Sequence, residues 1–213
     1  MDFAQARKAM VDSQLHTSGI FDRRLLTAMG TVPREAFLPA ERRAVAYIDD
    51  HHRLNESGRF LPDPSTFGRL VQLAEISAGD SVLVVGSGTG YSLCVIARLA
   101  ASVTGLESDP ALNAMARQAC AGITGIEIVE GEMPALAARQ FDVIVVEGAL
   151  ESVPADLAAL LRPDGRLVAL VRDKGVGIAR LMRRVQGGVE TTSHFNATLP
   201  VLFKGAGEPA FIF

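Results

Sequence analysis

The sequence predicts an α/β fold, in which helices cover both faces of a mostly parallel sheet and a helical extension precedes it. From residue 81 onward, short apolar runs alternate with amphipathic segments, as parallel strands joined by helices require. Residues 1–63 carry helical periodicity and loops but no convincing strand pattern. The tail, residues 188–213, holds two β-rich pieces without a helix between them, which predicts an antiparallel pair at one sheet edge.

The N-terminal extension is predicted to consist of helices followed by a loop. Asp22 is a candidate N-cap for its second helix. The Pro- and Gly-rich residues 57–64 then separate the extension from the rest of the chain. This divides the chain into an extension with a loop, residues 1–63, and an α/β domain, residues 64–213. Helices are predicted at residues 3–16, 22–29, 41–47 and 65–76.

The α/β domain is predicted from five apolar runs and the helices between them. Asp109 followed by Pro110 is a typical N-cap and first-turn pair. Arg180, Arg183 and Arg184 fall on a further predicted helix, where a solvated face is favoured over a site for an acidic partner. Strands are predicted at residues 81–85, 102–106, 126–129, 141–146 and 166–171, helices at 91–100, 109–121, 134–139 and 154–161, and the tail pieces at 189–197 and 209–213. The alternation predicts a doubly wound, Rossmann-like sheet.

Composition and charge narrow the classes of function. Hydrophobic residues make up 48% and charged residues 21% of the chain, which indicates a packed protein and excludes general disorder. The formal charge of −3 carries no overall signature of a nucleic-acid partner. Residues 81–97 are uncharged but too short and too rich in glycine for a membrane span. Charges at Asp2, Arg7 and Lys8 interrupt any signal-peptide pattern, so we expect a cytoplasmic location. The oligomeric state stays open.

A glycine-rich turn follows the first predicted strand of the sheet. It contains Gly86, Ser87, Gly88 and Tyr91 in a Gly-x-Gly-x-Gly spacing. Glycines at such a turn let the backbone approach a ligand and present amide donors. A dinucleotide fingerprint would need a glycine at position 91, so the spacing favours S-adenosylmethionine (SAM) over NAD. A turn that merely joins strand to helix is the alternative.

Polar residues follow the next two predicted strands. Glu107, with Ser108 after it, ends the second strand, and a carboxylate there can accept both hydrogen bonds of a ribose diol. Glu132 and Met133 follow the third strand, where an acid can reach the adenine amino group and a methionine can cover the ring. Each acid alone is more often a solvated loop residue. Their order along successive strands is what predicts a SAM site.

With these motifs in place, the sequence resembles the protein-L-isoaspartate O-methyltransferases. The resemblance covers most of the chain, and its most specific part is the helical lead-in. It implies a seven-stranded SAM-dependent methyltransferase fold and methyl transfer to the carboxylate of an isoaspartyl residue in damaged protein, an activity of protein repair. The matching segments are residues 10–49, 81–91, 105–112, 141–154 and 160–171.

The loop of the extension departs from the family pattern. In the family, a Thr-Ile-Ser-Gln-Pro segment follows a glycine, and its serine lies beside the substrate carboxylate and the methyl donor. Here Phe60 replaces the threonine and Pro62 replaces the serine, so both hydroxyls and one N–H are missing. The catalytic residues therefore stay unassigned, and transfer to isoaspartate is expected to be weakened or redirected to another acceptor. A non-catalytic SAM-binding or interaction module is the alternative.

A second departure lies at Val84, where the family usually has an acid that helps to hold the methionine end of SAM. A methionine ammonium in a partly desolvated cleft is costly when unpaired. Glu147 follows the fourth predicted strand, which should neighbour the first strand at the switch point of the sheet. We therefore expect Glu147 to bind the ammonium. The alternative is a solvated Glu147, with water or backbone carbonyls holding the ammonium.

Two further patterns are expected to be structural. The run from Asp49 to His52 contains metal-ligating residue types, but a solvated loop near the substrate entrance is favoured over a metal site. Cys94 and Cys120 lie in predicted helical stretches, without the spacing of a disulfide framework or a metal pair. Both are expected to be reduced, buried thiols.

Overall fold

A computed structural model describes residues 2–136 and 138–202 of the chain. A seven-stranded sheet with the order β5-β4-β3-β6-β7-β8-β9 is its centre, and a two-stranded hairpin, β1-β2, lies in the extension. The strands are β1 (His52–Arg53), β2 (Phe60–Leu61), β3 (Ser81–Val85), β4 (Ser102–Glu107), β5 (Ile126–Glu130), β6 (Phe141–Leu150), β7 (Leu161–Asp173), β8 (Val176–Val185) and β9 (Gly188–Asn196).

The sheet is doubly wound, as predicted. Strands β3 to β7 pair in parallel, with β3 between β4 and β6, while β8 and β9 add antiparallel strands at one edge. The parallel pairing of β3 with β6 brings their carboxyl ends to the same side of the switch point. The residues that follow these strands therefore lie at one edge of the sheet.

The helices confirm the predicted capping residues, and all except the second are shorter than predicted. Asp22 accepts hydrogen bonds from the N–H groups of Arg24 and Leu25, and Asp109 caps its helix from the position before Pro110. The first helix ends early because it continues as a π-helical turn, Val11–Leu15. The helices are α1 (Phe3–Met10), α2 (Arg23–Thr31), α3 (Pro64–Leu73), α4 (Tyr91–Ile96), α5 (Pro110–Ala119) and α6 (Ala155–Ala159). None of the described helices is long and apolar enough to cross a membrane.

Two helical predictions become 3₁₀ turns. The segment predicted at residues 41–47 is Ala40–Val45, and the one predicted at residues 134–139 is Met133–Leu136. The hairpin β1-β2 also corrects the expectation that the extension holds no strand. Its two-residue strands are too short to show the period-two pattern that identifies strands in a sequence.

The helix predicted around Arg180 is wrong, because these residues form strand β8. The small and apolar side chains of Ala179 and Leu181 are buried, while Arg180 between them is only half-buried, which is a period of two. Arg183 lies on the same strand and pairs with the exposed Glu75. Strand β9 confirms the first β-rich tail piece, and its antiparallel partner is β8. The second tail piece, residues 209–213, lies outside the described residues.

The extension and the α/β part share one hydrophobic core. The rings of Phe37 and Tyr91 meet edge to face at 5.5 Å between centroids, and the Thr89 hydroxyl donates to the carbonyl oxygen of Phe37. The glycine-rich turn therefore rests directly on the lead-in. Cys94 and Cys120 are buried free thiols beneath the same turn, with their sulfurs 3.2 Å apart.

Candidate functional site

The glycine-rich turn forms the floor of a crevice at the carboxyl ends of β3, β4 and β6. Gly86, Gly88 and Gly90 all have positive φ, at 79°, 52° and 89°. The N–H of Gly86 donates to the carbonyl oxygen of Leu106 at 2.8 Å, which ties the turn to the end of β4. A Cβ atom at Gly90 would lie 2.9 Å from the sulfur of Cys120. Backbone conformation and close packing therefore both require glycine here.

Glu107 is a buried carboxylate held in one orientation at the end of β4. Its Oε2 accepts from the N–H of Gly88 at 2.9 Å and from the Arg59 guanidinium at 2.5 Å. Its Oε1 accepts from the N–H of Asp109 at 3.0 Å. The Glu107 side chain is completely buried. Three donors thus fix both oxygens, and the alternative of a solvated loop acid is wrong for Glu107.

A cavity of about 280 Å³ opens beside Glu107. Ser108 and the exposed Glu132 line it on one side, and Gly86 lines its floor. The half-buried Met133 packs next to the cavity, in the apolar cluster that also includes Leu202. The structure therefore brings together six of the sequence-predicted site residues: Gly86, Gly88, Glu107, Ser108, Glu132 and Met133.

Glu147 is buried where strand β6 passes the end of β3. The last paired residues of the two strands are Val85 and Val146, and the pairing of β6 with β7 is irregular between Val145 and Ala149. Only 4% of Glu147 is exposed, so the alternative of a solvated loop acid is wrong here too. Burial raises the pKa of this carboxyl to about 8, although the neighbouring Ser92 hydroxyl and the positive charges of Arg59 and Arg34 act in the opposite direction.

Several buried polar atoms at the crevice have no hydrogen-bond partner among the described residues. They include Oε1 of Glu147 and Nε of Arg59. Buried polar atoms are normally paired, so both indicate a polar ligand in the crevice. A cofactor with an ammonium group and a ribose diol fits these side chains, because its donors would meet carboxylate acceptors at Glu147 and Glu107.

Two predicted site residues point away from the cavity. Tyr91 is buried between Phe37 and Phe67, with the Arg34 guanidinium 5.1 Å from its ring centroid. Burial raises the pKa of its phenol. The Ser87 hydroxyl is buried too, close enough to Gly105 to exclude a Cβ atom there. Both side chains therefore lie beneath the backbone of the glycine-rich turn.

Comparison with known proteins identifies the family. A family model described as protein-L-isoaspartate(D-aspartate) O-methyltransferase matches residues 5–203. The chain belongs to this family. The protein-L-isoaspartate O-methyltransferase of Methylorubrum extorquens (strain PA1) is 36% identical over 210 residues, which cover 97% of this chain and 92% of that protein. The one from Roseiflexus sp. (strain RS-1) is 38% identical over 190 residues, 86% of this chain and 85% of that protein.

Two solved structures of protein-L-isoaspartate O-methyltransferases share the fold. One, from Plasmodium falciparum in complex with S-adenosyl-L-homocysteine (SAH), has a TM-score of 0.77 at 19% identity and covers 92% of this chain and 98% of that chain. The other has a TM-score of 0.81 at 21% identity and covers 94% of this chain and 67% of that chain. The predicted fold and the resemblance to this family are confirmed.

The loop that departs from the pattern of this isoaspartate methyltransferase family, around Phe60 and Pro62, is fixed by buried contacts. Phe60 is buried in β2 and packs in a small cluster with Leu70 and Leu170. The carbonyl oxygen of Pro62 accepts from the fully buried Arg34 at 2.5 Å. Arg34 therefore fixes the backbone at the position where the family has its serine. Val84, the second departure, is completely buried in the main core, and its aliphatic side chain offers no carboxylate to a ligand.

Arg59 is the residue of this site that sequence reasoning did not find. It lies in the loop after Gly58, which has a φ of 84°. Its guanidinium reaches Glu107, 48 positions along the chain. The residues following strand ends carry a sequence signal, whereas this contact depends on how the hairpin folds over the crevice. An arginine in a glycine-containing loop, such as Arg59, has no sequence pattern that marks it as part of a binding site.

The run from Asp49 to His52 divides into separate roles. His52 is 2% exposed in β1, so a solvated loop is wrong for this residue, and burial and the charge of Arg34 lower its pKa to about 4. Asp49 accepts hydrogen bonds from the N–H and the hydroxyl of Ser65. Within residues 2–136 and 138–202, no group of three His, Cys, Asp or Glu side chains is arranged to hold a metal ion.

Proposed function

We propose that this protein is a SAM-dependent O-methyltransferase that methylates the carboxylate of isoaspartyl residues in damaged protein or peptide. The observation that carries the proposal is the buried Glu107, whose two oxygens are oriented by the N–H groups of Gly88 and Asp109. A carboxylate fixed in this way at a switch-point strand end is suited to a ribose diol. Membership of the isoaspartate methyltransferase family supports the reaction and the acceptor.

The remaining residues take roles that follow from their positions. Gly86 and Gly88 allow the cofactor to approach the floor of the crevice, and Ser108 and Glu132 contact its adenosine part from the wall of the cavity. Met133 covers the adenine from the adjoining apolar cluster. Ser87 and Tyr91 belong to the site as supports of the turn, because their side chains lie beneath it.

Glu147 binds the methionine ammonium of the cofactor. Its carboxyl is buried, has one oxygen without a hydrogen-bond partner among the described residues and lies beside the end of β3. An ammonium group would supply this hydrogen bond and a direct ion pair. This takes over the task of the acid that the family usually carries at the position of Val84.

The reaction requires positioning more than acid-base chemistry. When bound, SAM would supply a methyl group on a sulfonium for transfer to the acceptor carboxylate, with a methyl ester and SAH as the products. The acceptor carboxylate is already ionised near neutral pH, so no side chain has to remove a proton. The chain must hold the two reactants in line and exclude water. Protein repair is the role we propose, and a cytoplasmic location stays a prediction.

A methyl-transfer assay tests this function. Radiolabelled SAM is offered with an isoaspartyl peptide, with its ordinary aspartyl counterpart and with a whole-cell extract. We expect label in the isoaspartyl peptide and none in its counterpart. Label in the extract alone would mean a different acceptor. No label in any arm would leave a binding module of the same fold.

Matched variants show whether the label depends on the crevice. Glu107→Gln is expected to abolish most of the transfer. Glu127→Gln is the control, because this carboxylate lies on the neighbouring strand β5, is exposed and pairs with Arg139 outside the crevice. Equal loss in both variants would indicate a general effect on folding.

A further inference from the structure

Arg59 enters the crevice from a loop that is anchored on both sides. The N–H of Leu54 donates to the carbonyl oxygen of Arg59 at 2.7 Å, and β1-β2 pairing fixes the next residue, Phe60, opposite Arg53. The side-chain amide of Asn55 donates to Asp109 at 2.6 Å, which ties the loop to the start of α5. The backbone of Arg59 is therefore held over the crevice while its long side chain reaches inward.

The guanidinium occupies a position that the cofactor needs. Its Nη2 lies 2.5 Å from Oε2 of Glu107 and about 3 Å from where a Cβ atom of Gly86 would be. Oε2 of Glu107 already accepts from the N–H of Gly88. A ribose diol that binds both oxygens of Glu107 therefore has to take the place of Nη2.

Displaced from Glu107, the Arg59 side chain would be left without an anion. An arginine side chain keeps its charge in proteins, and burying a charge without a partner is costly. Only 16% of the Arg59 side chain is exposed, and its Nε has no partner among the described residues. A new anion close to the cavity would satisfy it.

The crevice itself is otherwise acidic. Arg59 is the only cation among the described residues that line the cavity, and the carboxylates beside it are Glu107 and Glu132. Arg34, the other arginine near Glu147, is fully buried and already donates to two backbone carbonyl oxygens. A carboxylate that enters as methyl acceptor would be repelled by these glutamates unless a cation receives it. Arg59, once freed, is the group placed to do so, and it can bind a carboxylate with two parallel hydrogen bonds.

We propose that Arg59 is a specificity-determining residue that binds the carboxylate of the methyl acceptor and is released for this task when the cofactor ribose replaces it on Glu107. The inference rests on the proposed function. It makes cofactor binding precede acceptor binding. It also selects acceptors that carry a negative charge.

Binding of a fluorescent isoaspartyl peptide, followed by anisotropy, tests the proposal without turnover. The wild-type protein loaded with SAH should bind the peptide about tenfold more tightly than the SAH-free protein, as expected for a charge-assisted hydrogen bond gained. Arg59→Gln should remove this difference, and Arg59→Lys should restore part of it. Arg53→Gln is the control, because its exposed guanidinium lies on the same hairpin and pairs with Glu56.

Kinetics with the same variants give a second readout. Arg59→Gln should raise the KM for the peptide by about tenfold and lower kcat less. Unchanged peptide affinity and KM in Arg59→Gln would overturn the proposal. The proposal would also be overturned if Arg59→Gln weakened the binding of SAH but not that of adenosine. Arg59 would then bind the carboxylate of the cofactor and not that of the acceptor. Failure of the wild-type protein to bind SAH would instead refute the proposed function.

Discussion

The two buried carboxylates of the crevice differ in what surrounds them. Glu107, at the end of β4, accepts from two backbone N–H groups and from Arg59. Glu147, beside the end of β3, is also buried, but one of its oxygens has no hydrogen-bond partner in the described part of the chain, and burial raises its pKa to about 8. Glu107 is oriented to accept hydrogen bonds from neutral hydroxyl groups, whereas Glu147 needs a cation to pair with its ionised form. The same residue type thus serves two different parts of one ligand because its environments differ.

Of the two carboxylates, Glu107 should have the larger effect on cofactor affinity when it is replaced. Glu107→Gln removes the negative charge to which a ribose diol would donate, and hydrogen bonds to charged groups are the stronger kind. We expect SAH affinity to fall 10- to 100-fold, about 1.4 to 3 kcal/mol, by isothermal titration calorimetry. Adenosine, which shares the ribose, should lose a similar amount. A loss below twofold would remove Glu107 from the cofactor site.

Replacing Glu147 should separate the two carboxylates by ligand. Glu147→Gln is expected to weaken SAH by more than about 1 kcal/mol while scarcely changing adenosine, which has no ammonium group. Calorimetry of both ligands on the variant and the wild type measures the difference. If both ligands weaken equally, or neither does, Glu147 lies outside the methionine pocket and the departure at Val84 is uncompensated.

The pH dependence sharpens the comparison further. Since the folded-state pKa of Glu147 is raised to about 8, the carboxyl is mostly protonated at pH 7, and an ammonium partner favours the ionised form. SAH binding at pH 7 should release about one proton, and affinity should rise with pH up to about 8. Titrations in buffers of different ionisation enthalpy measure the release, which Glu147→Gln should abolish. Proton uptake would contradict the assignment.

The raised pKa of Glu147 should also affect the pH dependence of the stability of the ligand-free protein. A raised folded-state pKa stabilises the protein below the ordinary pKa of about 4.5, and this contribution is lost as the pH rises through about 8. Glu147→Gln should therefore flatten the decline of the melting temperature across this window. An unchanged pH profile would show that Glu147 titrates normally.

Site residues that follow the ends of strands could be predicted from the sequence, whereas a residue whose role depends on a long-range contact could not. Glu107 and Glu147 were found because each follows an apolar run, and parallel strands bring their carboxyl ends together. Arg59 was missed because its contact with Glu107 spans 48 positions. Strand β8 was predicted as a helix because the spacing of Arg180 and Arg183 fits a helical face as well as a strand that is partly buried on both sides.

A crystal structure of the complex with SAH would show whether the two carboxylates bind different parts of the cofactor. We expect the ribose diol on Glu107 and the ammonium on Glu147, each within about 3 Å, with the Arg59 guanidinium displaced from Glu107. An ammonium bound by water or backbone carbonyls, with Glu147 turned away, would contradict this expectation.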